Sequence, residues 1–231
     1  MAISSAMGNA LVPESYGFRN KIINGTFMIN QRGYTSGSNL ASGSYGFDRW
    51  KSNYTNTSLT FTSAPQGQLV TISASGVIRQ IIERANIQPG SYVLSWKGTA
   101  TGRVYNDGAS APSYATGPLS VYLDGTANVI VEFTPASGTA TLGNVQLEFG
   151  SRATPFEFRP VGQELALCQR YFQVGRLAAA GYGIVETVDS GAHGNFSFPA
   201  RMRAAPTITE LAKALGGSPA GFGSGTTYID A

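Results

Sequence analysis

The chain has 231 residues, a formal net charge of +3 and only 13% charged residues. Its length suits one large domain, or one domain with a small partner, and its few, scattered basic residues argue against a nucleic-acid-binding protein. No apolar run is long enough to insert into a membrane as a spanning helix. The single cysteine, Cys168, excludes an internal disulfide and a cysteine metal cluster.

Residues 1–19 show no clear hydrophobic period, and they lack the basic start and the long apolar core of a signal peptide. We predict that they form an N-terminal arm that is either disordered or ordered by a partner. Without an export signal, the chain is expected to be made in the cytoplasm.

Between residues 50 and 149, apolar residues alternate with polar ones, which predicts β-strands. Turn residues separate these segments at a spacing of roughly ten residues, and Asp124-Gly125 is the strongest hairpin signal among them. The alternating sets are Leu59 and Phe61; Val70, Ile72 and Ala74; Tyr92, Leu94 and Trp96; Leu119, Val121 and Leu123; Val129, Val131 and Phe133; and Val145, Leu147 and Phe149. We therefore predict an all-β fold, with an antiparallel β-sandwich over 20–160 and a jelly roll as its most specific form.

The pattern changes near Val161, where we place a boundary. Residues 162–172 have helical spacing, with two adjacent apolar stripes. Short strand patterns follow at 184–188, 194–198 and 207–211. We predict one short helix and a small β-rich module over 161–231 that serves oligomerisation or packing. The side chains expected to pack the oligomer are Leu165, Cys168, Tyr171 and Phe172.

The sequence offers little catalytic chemistry. The sole histidine, His193, lies in a glycine-flanked loop and cannot form a multi-histidine metal site. Cys168 falls on the apolar stripe of the predicted helix, which favours burial over a reactive pair with His193. The acidic residues are scattered singly, Asp48 among them, whereas glycoside hydrolysis needs two carboxylates across a cleft. We predict that the protein is not an enzyme.

The same residues give no reason to expect a cofactor. No acidic calcium-binding loop of the EF-hand type occurs in the sequence. A structural Ca²⁺ ion held by backbone carbonyls and one carboxylate stays open as an alternative.

The aromatic residues are more informative. Trp50 and Trp96 fit the strand pattern and are expected in the core. Flat aromatic rings beside a few polar groups are typical of sugar sites. The candidate glycan-binding residues, which lie in polar and turn-rich segments, are Tyr54, Tyr105, Tyr114, Asn53, Arg103, Asn106 and Asp107. A tyrosine-bearing loop serves equally well as an anchor between subunits, so both roles remain open.

Several short motifs then occur in a fixed order. They are NKIINGTF at 20–27, NQRG at 30–33, FDRW at 47–50, LSWK at 94–97, GNVQLE at 143–148, TPFE at 154–157 with Arg159-Pro160, ELALCQRY at 164–171, and RMRAAPT at 201–207. Together they resemble a domain common in phage and prophage tail-fibre and minor tail proteins. The first domain is also similar to carbohydrate-binding modules of the jelly-roll type.

This resemblance implies a bacteriophage virion structural protein, a tail-fibre, head-fibre or spike subunit that mediates adhesion to host-surface glycans. The expected partners are other virion proteins, host-surface polysaccharide and further copies of the chain, with a trimer favoured. Weak single sites would become useful through many copies on one particle. The alternative is a capsid or tail decoration protein that stabilises the particle without glycan recognition. Either protein would reach the virion from the host cytoplasm.

Overall fold

A computed structural model of the protein describes residues 18–64, 67–177, 198–212 and 225–230. The strands are β1 (Asn39–Leu40), β2 (Lys51–Ser52), β3 (Thr57–Thr60), β4 (Val70–Ile72), β5 (Ile78–Ile82), β6 (Gly90–Gly98), β7 (Thr101–Asn106), β8 (Leu119–Leu123), β9 (Val129–Thr134), β10 (Ala140–Phe149), β11 (Phe172–Leu177), β12 (Thr207–Ala212) and β13 (Gly225–Asp230). One α-helix, α1 (Val161–Gln169), and one 3₁₀ turn (Arg84–Asn86) accompany them. The prediction of an all-β fold with one short helix is confirmed.

The strands pair antiparallel throughout the described residues, in three sheets. The first sheet has the order β1-β3-β4-β10-β6-β8, the second β2-β5-β9-β7 and the third β11-β13-β12. From β4 to β10, consecutive strands alternate between the first two sheets. This wrapping of β4-β10-β6-β8 over β5-β9-β7 is that of a jelly roll, so the predicted sandwich is confirmed.

One position of an eight-stranded jelly roll is reduced to a single bridge. At the free edge of β7, Gly102 pairs with Ala115, and each backbone N–H donates to the other residue's carbonyl over 2.9 Å. The segment around this bridge contains Pro112 and Pro118. Proline has no N–H to give to a strand ladder, which explains why no full strand forms there.

Aromatic packing fills the space between the two sheets. Trp50 is buried, with its ring centroid 5.1 Å from that of Phe27 and 6.1 Å from that of Phe133. Trp96 is only partly buried, and its ring meets Phe133 edge-on at 5.0 Å. The predicted core position of Trp50 is confirmed, and Trp96 covers the margin of the core.

The N-terminal part of the sandwich, which we call the strap (residues 20–24), is half-buried to buried and does not belong to a strand. The Lys21 N–H donates to the Leu147 carbonyl at 2.8 Å, and side chains supply most of the other bonds to its backbone. The Asn20 side chain accepts from the N–H groups of Ile22 (2.9 Å) and Leu147 (3.0 Å) and donates to the Val145 carbonyl (3.0 Å). The Gln80 side-chain amide accepts from the Ile23 N–H at 2.9 Å and donates to the Ile23 carbonyl at 2.8 Å.

The segment leading into α1 clamps the other side of the strap. Glu157 accepts from the Asn20 N–H at 2.7 Å, and Arg159 donates to the carbonyls of Asn20 and Ile22. Glu164, on the first turn of α1, accepts from the Asn24 N–H and pairs with Arg159 at 3.0 Å. The strap therefore joins the start of the sandwich to the helix that follows it.

Several sequence expectations lie outside the described residues. The N-terminal arm over 1–19 falls almost wholly there, as do the strand patterns at 184–188 and most of 194–198. The strand expected at 207–211 is confirmed as β12. The division of the chain into an arm, a sandwich and a C-terminal module stays a prediction.

The strap yields a stability prediction. Gln80→Leu keeps the side-chain volume but removes the partner of the half-buried N–H and C=O of Ile23, which costs about 1 to 3 kcal/mol in all. We expect a matching fall in the free energy of unfolding, measured by urea denaturation. The exposed Gln88 provides the control, since Gln88→Leu is expected to change stability by less than about 0.5 kcal/mol. Equal effects of the two substitutions would contradict the role given to Gln80.

Candidate functional site

The candidate site lies on the outer face of the second sheet. On β9, Val129, Val131 and Phe133 point into the core, so Ile130 and Glu132 point the other way. The same alternation on β7 and β5 defines the whole outer face. Its members are Lys51, Arg79, Ile81, Arg103, Tyr105, Ile130 and Glu132.

Strand register places four charged residues in one line across this face. Lys51 is paired with Arg79, Arg79 with Glu132, and Glu132 with Arg103. We call these four residues the charged row. Although Glu132 lies on the outer face, it has no exposed surface, because its neighbours cover it.

One carboxylate oxygen of Glu132 is bonded from the β5 side. Its Oε1 accepts from Arg79 Nε at 2.8 Å and from Asn53 Nδ2 at 2.8 Å. Arg79 Nη2 adds a second contact to the same oxygen. Asn53 follows directly after β2, so the turn at the end of that strand brings its amide to the carboxylate.

The other oxygen is bonded from the β7 side. Glu132 Oε2 accepts from Arg103 Nε at 2.6 Å and from the hydroxyls of Tyr105 (3.2 Å) and Tyr114 (3.4 Å). A buried carboxylate is tolerated when its charge is paired and its lone pairs are satisfied. Both conditions are met here by side chains that reach the protein surface.

The bridge at Ala115 explains how Tyr114 reaches the site. Pairing with Gly102 folds the segment after β7 back onto the sheet edge. The Arg103 guanidinium carbon then lies 4.2 Å from the centroid of the Tyr114 ring, and Arg103 Nη1 donates to the Pro112 carbonyl at 3.2 Å. Burial, followed by the nearby charge of Glu132, raises the pKa of Tyr114 to about 12.

The structure brings together four of the seven predicted glycan-site residues, namely Asn53, Arg103, Tyr105 and Tyr114. Tyr54 is next to Asn53 in the chain, and 53% of its surface is exposed. Asn106 shares the core-facing side of β7 with Val104. Asp107 leaves the strand, and its N–H donates to the Asn128 carbonyl at 2.7 Å. These last three residues lie outside the cluster around Glu132, and the binding role of the whole set stays a prediction.

Sequence reasoning missed Glu132, Arg79 and Lys51. The sequence was sufficient to predict that Glu132 points away from the core, since it alternates with three apolar residues on a predicted strand. Its partners could not be predicted from the sequence, because Arg79 and Arg103 are brought beside Glu132 only by the pairing of β5, β9 and β7. A charged residue in the middle of an otherwise apolar strand was the available signal.

The residues predicted to pack an oligomer lie at the end of α1 and the start of β11. Cys168, Tyr171 and Phe172 are buried, and Leu165 is half-buried. Arg49 stacks on the Tyr171 ring at 3.5 Å from its centroid, and Arg32 on Phe172 at 3.6 Å. Three of the four side chains thus have partners within one chain, and their role in an oligomer stays a prediction.

The other residues considered for chemistry are placed as follows. Asp48 is bonded to a distant segment of the chain, accepting from the Gln31 N–H at 2.6 Å and from Gln31 Nε2 at 2.8 Å. Burial raises the pKa of the Cys168 thiol well above its ordinary value. His193 lies outside the described residues.

In the part of the chain that the structure describes, no group of three or more His, Cys, Asp or Glu side chains is placed to hold a metal ion. The structural Ca²⁺ ion stays an open expectation. Within the same residues, no helix is long and apolar enough to cross a membrane.

Comparisons with known proteins found similarity in structure. No protein-family profile matches the chain, and no curated protein matches it. Among solved structures, the chain is similar to the enzymatically active domain of tailspike protein 4 of bacteriophage CBA120, with a TM-score of 0.35 and 13% identity. The match covers 57% of this chain and 22% of that one, so it spans less than a quarter of the neighbour's length.

This comparison corrects the prediction that the protein is not an enzyme. The structure found similar is that of an enzymatically active domain, so the exclusion of enzymatic activity is withdrawn. A TM-score of 0.35 does not assign any activity to this chain either.

The raised pKa of Tyr114 yields a prediction for alkaline pH. Its ordinary value is 10.0 and its folded value about 12, so folding favours the neutral phenol. The stability that this adds is fully present below pH 10.0 and is lost as the pH rises towards about 12. Urea denaturation of the wild type and of Tyr114→Phe, at several pH values up to 11, measures it.

We expect the free energy of unfolding of the wild type to fall relative to that of Tyr114→Phe as the pH rises above about 10. Tyr114→Phe retains the ring beside Arg103 and removes only the titrating hydroxyl, so the difference between the two proteins at each pH reports on that hydroxyl. A difference that stays constant across the alkaline range would contradict the placement of Tyr114 beside Glu132.

Proposed function

We propose that the protein is a structural subunit of a bacteriophage virion, a fibre or spike component that adheres to host-surface glycans through the outer face of its second sheet. The observation that carries this proposal is the convergence of Asn53, Arg103, Tyr105 and Tyr114 around Glu132 on that face. The motif resemblance supports the virion role, and the jelly-roll fold is the form that the resemblance implies.

The chemistry of the cluster suits a sugar. Tyr105 and Tyr114 are half-buried, so each keeps part of its ring accessible, and aromatic faces pack on the apolar faces of sugar rings. The Asn53 amide and the Arg103 guanidinium add donors for hydroxyl groups. Glu132 holds all four side chains in place before a ligand arrives, which lowers the entropy lost on binding.

The site forms an open face rather than a deep pocket, which fits weak binding at each copy. Many copies on one particle convert weak single contacts into firm attachment. We propose a homo-oligomer, with a trimer favoured and residues 161–231 contributing to its packing, within a virion assembled in the host cytoplasm.

A second candidate is a capsid or tail decoration protein, and one observation favours it. Large apolar side chains are exposed beside the strap: Phe18 (55%), Phe158 (57%) and Val161 (58%). A cleft of about 270 Å³ lies in the same region, lined in part by Phe18 and Leu167. Exposed apolar surface of this kind fits a contact between subunits.

Cell binding tests the first candidate. Fluorescent beads carrying many copies of the protein are incubated with a panel of bacterial strains, before and after periodate oxidation of the cell-surface glycans. We expect strain-selective binding that oxidation abolishes. Tyr105→Ala with Tyr114→Ala is expected to weaken it at least about tenfold, the loss of about 1.4 kcal/mol that interface aromatics commonly contribute.

Tyr122→Ala is the matched control, because Tyr122 is 66% exposed on β8 of the first sheet. It is expected to bind like the wild type, and urea denaturation checks that each variant is folded. Binding that survives periodate, or that Tyr122→Ala weakens equally, would contradict the glycan site. Absence of binding to every strain, combined with stabilisation of purified particles, would favour the decoration protein. Release of reducing ends during the assay would show the glycan to be a substrate.

A further inference from the structure

The charged row holds more positive than negative charge. It contains the cations Lys51, Arg79 and Arg103 and the single carboxylate of Glu132, paired directly across the strands. Neighbouring strands lie about 4.8 Å apart. The row is therefore a compact cationic strip on the face that carries the two site tyrosines.

Glu132 cannot neutralise the whole row. Its Oε1 is engaged by Arg79 and Asn53, and its Oε2 by Arg103, Tyr105 and Tyr114. These partners lie on β5, on β7, in the turn after β2 or in the segment after β7. Lys51, one strand beyond Arg79, gains no contact from the carboxylate.

Lys51 is the cation whose charge is least compensated. It faces Arg79 directly, and like charges in directly opposed positions destabilise a sheet. Among the residues that the structure describes, no carboxylate lies within the 4.0 Å ion-pair distance of Lys51. Burial and the charges of Arg79 and Arg49 lower its pKa, and Asp107 offsets this only in part.

We propose that the outer face prefers anionic glycans, with an acidic group of the sugar bound between Lys51 and Arg79. This inference rests on the proposed function and deepens it by naming the ligand class. A carboxylate or phosphate group would supply the missing negative charge. Nε and Nη2 of Arg79 bond Glu132, so the group would be met by the Nη1 end of the guanidinium together with the Lys51 ammonium. The adjacent Tyr105 and Tyr114 would contact the same sugar chain.

Polymers of known charge test the preference. The bead-displayed protein is measured against alginate, alginate whose carboxyl groups have been reduced to alcohols, a teichoic acid charged by phosphate, and neutral dextran. We expect the two anionic polymers to bind at least fivefold more tightly than the two neutral ones, and added sodium chloride to weaken that binding. Tight binding of only one anionic polymer would identify the acidic group as carboxylate or as phosphate.

Lys51→Gln removes one charge and retains most of the side chain. We expect it to weaken alginate binding at least fivefold while raising the urea midpoint of unfolding, because it also removes the repulsion from Arg79. Lys97→Gln, at an exposed position on β6 of the first sheet, is the control and is expected to change neither quantity. A gain in stability with a loss of binding separates a ligand role for Lys51 from a structural one.

The outcomes distinguish this inference from the proposed function. Equal binding of alginate and its reduced form would overturn the anionic preference and leave glycan adhesion standing. Failure to bind either anionic polymer, with periodate-sensitive cell binding intact, would overturn it in the same way. Periodate-insensitive cell binding would overturn both.

Discussion

Backbone that enters a protein core without joining a sheet must still find a partner for each buried N–H and C=O, and the strap depends on this requirement. Side chains supply most of these bonds: Asn20 within the strap itself, Gln80 on β5, and Arg159 and Glu164 from the segment around α1. A loss at any of them leaves buried polar groups unsatisfied. The sandwich and the helix are thereby held as one unit, and several of the motif residues that suggested a phage protein prove to be parts of this clamp.

The same requirement governs Glu132, with a different consequence. At the strap, polar side chains bond backbone groups in the interior of the protein. At Glu132, a buried carboxylate is bonded by Asn53, Arg79 and Arg103, which are half-buried and extend to the surface. Satisfying the buried charge therefore fixes a set of surface donors in place. The ion-pair network that satisfies Glu132 is therefore also what orders these donors at the surface.

Alternation of apolar residues was enough to predict most of the long strands and the sandwich, because one face of each strand must be buried. It did not predict β7: the sequence reads as a polar, turn-rich loop around Arg103 and Tyr105, and that expectation is wrong, since both lie on a strand and alternate with Val104. The same parity shows Asn106 to be on the core side, a distinction that proximity in sequence obscured. Alternation does not give the register between β5, β9 and β7. The contacts between Glu132 and its two arginine partners therefore could not be predicted from it. Nor does it reveal a strap whose backbone is bonded by distant side chains.

The reduced strand beside β7 explains how Tyr114 comes to lie on the outer face of the second sheet. A full eighth strand would continue the ladder at that edge and carry its own side chains over the sheet. Pro112 and Pro118 limit the pairing to the bridge at Ala115, so the rest of the segment forms a loop. That loop lays Tyr114 against Arg103 and within reach of Glu132. Tyr114 thus joins the cluster because the sandwich is incomplete at this edge, whereas the other partners of Glu132 come from the strands or from the turn after β2.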